Sequence, residues 1–366
     1  MSQEKQYPLV SIITVNYNGV RYLKTLYDSV KEITYPAVEL IMIDNASSDD
    51  SVKFVQQYYS EVKIIQKSAN LMFARANNEG IKVASGEYIC LLNNDVKVDP
   101  HFIEPIIEIF EKNPGAAACQ PKVLDMNQPD KFEYAGASGG FIDKYGYPFM
   151  RGRLFFTLEQ DNGQYDSTLE VFWSTGACFF SKKSILNQIG LLDDNFIMHM
   201  EEIDLCWRMH LHNLKIYCVP ASQVWHQGGG TLPAADPRKL YWNYRNNIFL
   251  LVKNLCFINL IRILSIRLIL DMVSFLREIL VGRWKNGGAI LKAYWWNISH
   301  CPLLARKRSE IQKQRLKTDK EIFKLIYSGC VVWEYFIRGR RKFTELKRIN
   351  LLIGNKFKGK EEKIGL

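Results

Sequence analysis

The chain has 366 residues, 47% hydrophobic and 23% charged, which excludes a disordered or fibrous protein and allows one large or two modest domains. The 48 Lys and Arg against 38 Asp and Glu give a formal charge of +10, yet 25 of the bases and only 9 of the acids lie from Leu251 onward. An anionic surface or partner is therefore expected for the tail, not for the mildly acidic front part.

In chain order, Val10–Val15 (VSIITV) is a β-branched apolar run between Pro8 and the polar Asn16–Gly19, and predicts a buried strand. Arg21–Val30 places Tyr22, Leu26 and Val30 at four-residue steps and predicts a helix. Glu39–Ile43 predicts a second strand ending at Asp44, Ser51–Tyr59 a helix, Val62–Gln66 a third strand and Ala74–Ala84 another helix. Tyr88–Leu92 predicts a fourth strand, ending at Asn93-Asn94-Asp95. Strands alternating with helices at this spacing make an α/β, mostly parallel sheet covered on both faces. Ligands of such sheets bind beyond the carboxyl ends of the strands, where these polar clusters lie. From about Pro114 to Pro148 the pattern breaks into Gly-, Pro- and Asp-containing loops. Phe172–Ser181 resumes a strand-like run, Asp193–Arg208 is acidic and aromatic, and Ile216–Val219 reads as a short strand before Trp225-His226. Beyond Tyr241 the text is helical. Between Asn254 and Leu280, Arg267, Asp271, Ser274 and Glu278 share one side of a broad-faced amphipathic helix. The expected division is a catalytic domain over 1–253 and a helical, basic region over 254–366. No repeat or low-complexity tract interrupts it.

Several clusters carry chemistry. Asp44, before an Asn- and Ser-rich loop, suits a pyrimidine imide or ribose hydroxyl, while Asp49 equally suits a helix cap. Asp95 suits a hard divalent cation shared with phosphate oxygens, although Asn-Asp also makes ordinary turns. Glu201-Glu202-Ile203-Asp204 sets three carboxylates in apolar surroundings, where a raised pKa makes a general base. The alternative is a helix N-terminus enriched in acids, with Asp204 and Arg208 paired four residues apart. His226, shortly before Gly228-Gly229-Gly230, suits a metal or phosphate role or a structural one. Arg75 either reaches a phosphate or is a solvated helix residue.

These motifs, in this order, resemble the family 2 glycosyltransferases of the GT-A fold over roughly Pro8 to Lys253. VSIITVNYNG is similar to the family's first strand, DNASSDDS (Asp44–Ser51) to its nucleotide loop, and NLMFARANNEGI (Asn70–Ile81) to the segment over the donor. Asn93-Asn94-Asp95 stands where the family has its DxD metal motif, with only the last acid kept. The resemblance implies donor contacts from Asn16, Asp44, Asn45, Ser47, Arg75, Asn78, Asn94 and Arg245. It implies a divalent cation, Mg²⁺ or Mn²⁺, on Asp95 and His226, and an acceptor side at Trp173, Thr175 and Gly176. FIMHMEEIDLCWR resembles the segment whose second acid is the base, here Glu202 in place of the usual Asp, with Glu201 as its understudy. The implied activity is inverting transfer from a UDP- or dTDP-sugar, dTDP-rhamnose among them, to a lipid-linked or polysaccharide hydroxyl in cell-surface glycan synthesis. The bacterial rhamnosyltransferase-like branch is the most similar.

The eight cysteines are scattered without a CxxC pair, as free thiols in a reducing compartment are. The N-terminal segment lacks a signal-peptide layout, and no uncharged apolar run nears the roughly 20 residues that span a bilayer. A cytoplasmic protein is expected, peripheral on the inner face of the membrane. The amphipathic helix, with Arg306-Lys307-Arg308 and Arg338–Lys342, would dock on anionic lipid, unless it packs on the catalytic domain with its charges solvated. No nucleic-acid-reading motif accompanies the basic tail, so nucleic acid is not an expected partner. The rival readings are a nucleotidyltransferase and a catalytically inactive, glycan-binding relative.

Overall fold

The computed structural model describes residues 7–228, 236–350 and 352. Gly229 and Gly230 of the glycine run lie outside the described residues, as does most of the chain after Asn350. The first half follows the predicted alternation: β1 (Val10–Asn16), α1 (Val20–Lys31), β2 (Val38–Asp44), α2 (Ser51–Tyr58), β3 (Lys63–Gln66), α3 (Met72–Val83) and β4 (Tyr88–Leu92). Then come β5 (Val96–Val98), α4 (Glu104–Lys112) and β6 (Ala116–Asp125). Four short strands, β7 (Gly140–Ile142), β8 (Pro148–Met150), β9 (Arg153–Leu154) and β10 (Thr157–Leu158), form a separate small sheet. After them run β11 (Leu169–Val171), β12 (Cys178–Lys182), α5 (Lys183–Ile189), α6 (Glu201–Leu211) and β13 (Lys215–His226).

The main sheet has the order β11-β13-β6-β12-β4-β1-β2-β3, with β5 on β13. Strands β1 to β4 are parallel to one another, β6 is parallel to β13, and β12 runs antiparallel between β4 and β6. One edge of the sheet therefore collects the carboxyl ends of β1, β2, β4, β6 and β13 and the start of β12. That edge positions the site.

Three readings of the middle of the chain need correction. The stretch read as loops after Pro114 contains β6, buried along nine of its ten positions. Gln120, Pro121 and Lys122 hide it in the sequence. Gln120 is satisfied by the carbonyls of Pro121 and Gly136, each 3.2 Å away, and buried Lys122 pairs with Asp161 at 2.7 Å and with Asp166. The strand expected over Phe172–Ser181 begins only at Cys178. Before it, the Phe172 and Trp173 amides both turn to the Gly140 carbonyl, and the Trp173 indole donates to Phe141 O at 2.8 Å. Strand β13 is longer than expected because pairing with β6 resumes at Gln223, after a bulge holding Pro220.

The rest is helical: α7 (Pro237–Asn254), α8 (Phe257–Leu280), α9 (Trp284–Ser299), α10 (Cys301–Gln314), α11 (Asp319–Ile322) and α12 (Val331–Phe336). The single helix expected from Asn254 breaks at Leu255-Cys256, both extended, where the Cys256 amide donates to Asp319 at 2.8 Å. Packing is continuous across residues 253 and 254. Lys253 pairs with Asp193 at 2.6 Å and Asp204 at 2.8 Å, Asn254 donates to Asp204 at 3.0 Å, and Phe343 packs on Phe141 and Phe149. The predicted Asp204–Arg208 pair is present at 2.9 Å within this buried network. Among the described residues no helix is long and apolar enough to cross a membrane.

Candidate functional site

At the ends of β1 and β2, Asn16 and Asp44 are register partners. The two following loops are sewn together: Asn16 Nδ2 donates to Ser47 Oγ at 3.2 Å, the Asn18 amide to the same oxygen at 3.0 Å, and the Val20 amide to Asp49 at 3.0 Å. Asp49 also takes the Ser51 amide at 3.1 Å, so it supports the start of α2. Asn45 accepts from the Leu71 amide at 2.7 Å and donates to Asn70 at 2.9 Å, fixing the entry to α3. Asp44 is buried. One of its oxygens takes a 3.3 Å bond from the Ser47 amide, and Oδ1 has no partner among the described residues. A buried acceptor left so costs about 1–3 kcal/mol unless a ligand completes it.

Asn94 reaches across to Asn16 at 2.8 Å, linking the end of β4 to that of β1. Gly19 permits this, because a Cβ there would stand 2.3 Å from Asn94 Nδ2 and 2.4 Å from Asn16 Oδ1. The next residue, Asp95, is buried and bonds His226 Nε2 through Oδ1 at 3.0 Å, while the Gln227 amide holds the Asp95 carbonyl at 3.0 Å. Glu133 faces the other imidazole nitrogen of His226 at 3.1 Å and accepts from the Ala135 amide at 2.6 Å. Burial alone would lower the His226 pKa, but the two carboxylates outweigh it and raise it to about 10. A cation bound here would take the place of the Nε2 proton, and one carboxylate oxygen and one imidazole nitrogen, with Glu133 behind the ring, would then be a donor set that fits Mg²⁺ or Mn²⁺. Among the described residues no group of three or more His, Cys, Asp or Glu could hold a metal ion, so phosphate oxygens and water would supply the remaining ligands.

The Asn93 amide donates to Ala177 O at 3.0 Å, which brings the segment before β12 against the same turn. Gly176 there faces α6: a Cβ on it would lie 4.0 Å from Glu202 Cδ and 3.3 Å from the Phe73 ring. Glu201 is buried and Glu202 half-buried, and each has an Oε2 without a partner among the described residues. Burial pushes the Glu202 carboxyl up to about 7, and burial with the neighbouring Glu202 raises Glu201 as well. The turn before them holds Ile197, His199 and Met200 at φ 65°, 69° and 72°, conformations that cost about 1–3 kcal/mol each. Asn246 keeps this turn in place, its Nδ2 donating to the carbonyls of Phe196 at 2.9 Å and of Met198 and His199 at 2.7 Å.

Other expected contacts fall elsewhere. Arg245 does not open onto the donor loops. Its guanidinium is buried 3.5 Å from the Trp296 ring centroid and bonds Phe196 O at 3.2 Å. Asn78 is occupied by Leu192 O and Asp194, both at 2.8 Å, and by the Leu192 amide at 3.1 Å, so it braces the chain. Trp173 is buried as packing, and Thr175 bonds Ala135 O at 2.9 Å. Arg75 is exposed in the first turn of α3. Glu133, Asn246 and His199 were not singled out in the sequence. His199 Nε2 is buried without a partner among the described residues, and burial, with Lys239 nearby, lowers its pKa to about 4. Glu133 follows the overlooked strand β6, and Asn246 sits beside the more conspicuous Arg245.

A doubly wound sheet with acids gathered at its carboxyl edge is the plan of nucleotide-using α/β proteins. Residues 11–188 match the family described as Glycosyl transferase family 2, and this part of the chain belongs to that family, with the GT-A fold. It is 25% identical over 236 residues to N-acetylglucosaminyl-diphospho-decaprenol L-rhamnosyltransferase of Mycobacterium tuberculosis, covering 60% of this chain and 76% of the relative. It is 26% identical over 249 residues to poly-beta-1,6-N-acetyl-D-glucosamine synthase of Staphylococcus epidermidis, covering 66% of this chain but only 55% of that relative. The fold is similar to that of GalNAc-T7, solved with UDP, GalNAc and Mn²⁺, with a TM-score of 0.53 at 16% identity over 68% of this chain and 48% of that one.

Proposed function

We propose that the chain is a metal-dependent, inverting glycosyltransferase that moves a sugar from a UDP- or dTDP-activated donor to a hydroxyl of a lipid-linked or polysaccharide acceptor in cell-surface glycan synthesis. dTDP-rhamnose belongs in the donor panel because a relative named a rhamnosyltransferase is similar over 60% of this chain. The observation that carries the reading is the row of incomplete polar groups along one sheet edge: Asp44 Oδ1, Glu201 Oε2 and Glu202 Oε2, beside the Asp95–His226 pair. Asp44 would accept from the base or ribose. Arg75, on the donor segment, would reach the phosphates. Asp95 and His226 would hold the cation, and Glu133 would orient the imidazole. When bound, the cation supplies positive charge to the departing diphosphate.

Glu202 takes the proton from the acceptor hydroxyl. The oxygen forms its bond to the anomeric carbon as the bond from that carbon to the diphosphate breaks. A single displacement inverts the configuration. Glu202 rather than Glu201 is assigned as base because it is the less buried of the two and lies beside Gly176. The reading places the work on the cytoplasmic side, at the membrane surface, where a lipid-linked acceptor resides.

The test is a panel of nucleotide sugars offered with Mn²⁺ or Mg²⁺, scoring released nucleoside diphosphate. Release of pyrophosphate would identify a nucleotidyltransferase, and glycan binding with no turnover of any donor an inactive relative. Asp95→Ala is expected to abolish turnover and weaken donor binding.

A further inference from the structure

Helix α8 is amphipathic in the reverse sense for a helix packed on a protein body. Its spacing sets Arg267, Asp271, Ser274 and Glu278 on one side and Ile258, Ile269, Leu276 and Leu280 on the other. The polar side faces the protein: Arg267 is 2% and Asp271 1% exposed, against 75% for Ile258 and 85% for Leu280.

The inward groups are locked. Arg267 donates to Tyr145 O at 3.1 Å and to Asn247, and Asp271 accepts from the hydroxyls of Tyr147 at 3.0 Å and Tyr294 at 2.8 Å. Ser274 accepts from Tyr244 at 2.7 Å, and Glu278 from Asn286 at 2.9 Å. Turning the helix over to hide its apolar side would strip these buried ions of their partners, so the apolar side is held outward.

Helix α9 extends the surface with exposed Trp284 and Trp295. From Phe257 to Ser299 the exposed charges are Arg262, Arg277, Arg283, Lys285 and Lys292, all basic; the two acids of the segment, Asp271 and Glu278, are buried, and Glu278 offsets part of this charge, 2.8 Å from Arg277 and 3.9 Å from Arg283. The basic stretches expected to meet lipid are partly engaged elsewhere. Arg308 bonds the carbonyls of Val252 and Leu255 at 2.6 Å, and Arg338 and Arg340 pair with Glu334 at 3.1 and 2.6 Å.

We propose that the α8–α9 hairpin is the membrane-docking face, with α8 lying in the plane of an anionic bilayer. Its apolar side enters the acyl boundary, its cations meet headgroup phosphates, and the tryptophans sit at the interface. A second copy of the chain fits less well, since it would set the same five cations against each other. The face is one layer from the acid pair: Asn297 of α9 donates to Arg245 O at 3.1 Å, and the next residue, Asn246, holds the turn before Glu201. The proposal deepens the reading of a membrane-borne acceptor, but vesicle binding is measured without donor or acceptor, so either can fail alone.

The experiment sediments the full chain with phosphatidylcholine vesicles, with and without phosphatidylglycerol. Binding is expected to need the anionic lipid and to weaken with salt. Ile269→Glu with Leu276→Glu should lower the partition coefficient at least about tenfold, and Arg283→Glu with Lys285→Glu about tenfold. An unchanged thermal midpoint shows that a variant is folded. If the apolar variant does not fold, the charge variant decides. Absence of binding to anionic vesicles, or variants that bind as the parent does, overturns the proposal. So does self-association abolished by the apolar variant without any vesicle binding.

Discussion

The acids of the sheet edge and those of the helical region are treated in opposite ways. In the helical region Asp271, Glu278, Asp319 and Glu334 each have both carboxylate oxygens engaged by hydroxyls, amides or cations. At the sheet edge Asp44, Glu201 and Glu202 each keep one buried oxygen without a partner among the described residues; outside it only Glu104, on α4, does the same. A buried carboxylate that is fully paired is scaffolding, and removing one partner leaves the other stranded. A half-paired one in a cleft marks a place where a ligand completes the set. The contrast predicts that the first group governs stability and the second turnover.

The largest effect expected is from Glu202→Gln. It should lower kcat about 10³-fold, about 4 kcal/mol, with donor affinity nearly unchanged, as nucleoside diphosphate release and donor titration would show. Because burial raises the Glu202 carboxyl to about 7, the ionised base is lost as pH falls, and the parent's rate should drop tenfold per unit below about 7. The stability sign is opposite. A raised acid favours the fold at pH below its unfolded value and loses that contribution as pH rises through about 7. Glu202→Gln should therefore raise the thermal midpoint at pH 8 and leave it nearly unchanged at pH 4. Full activity in this variant would move the base to Glu201.

Asp271→Ala should do the reverse. It strands Arg267, whose guanidinium is 3.2 Å from Asp271 in a buried setting, and should cost about 3 kcal/mol of stability in denaturant titrations. Turnover per folded molecule should be unaffected. If turnover falls as steeply as for Glu202→Gln, the division between the two groups of acids breaks down.

The strand-end positions of Asp44 and Asp95 were legible because a β-branched or apolar run stopping at a polar cluster is a local pattern, whereas that of His226 was not, because β13 was expected to stop at Val219 and runs on to His226. The polar side of α8 was legible, but not its direction. Periodicity shows that Arg267, Asp271 and Glu278 share a side, whereas the tyrosines that draw it inward come from 147, 244 and 294. Strand β6 was illegible because Gln120 and Lys122 are made compatible with burial by partners far along the chain. Glu133 was missed for the same reason. Arg245 drew notice through its charge, yet the side chain that holds the turn before the acid pair most fully is its neutral neighbour.

That neighbour gives the third test. Asn246→Ala removes three bonds from a turn with three left-handed residues, and the turn should relax. The acid pair would lose its setting, so kcat should fall about 30-fold, about 2 kcal/mol, with donor KM little changed. A change confined to the thermal midpoint would place Asn246 with the scaffolding.

The smallest effect separates the two groups most finely. Asp44→Asn keeps the size of the side chain and can keep the acceptor for the Ser47 amide, but it replaces the other carboxylate oxygen with a donor. Facing an imide N–H or a ribose hydroxyl, that donor loses an acceptor contact formed before and during the reaction alike, so the loss should appear in KM rather than kcat. A rise of about tenfold in donor KM, about 1.4 kcal/mol, is expected, with the thermal midpoint of the ligand-free protein unchanged or raised. A lowered midpoint with an unaltered KM would mean that Asp44 is held for the loops it joins and not for a nucleotide.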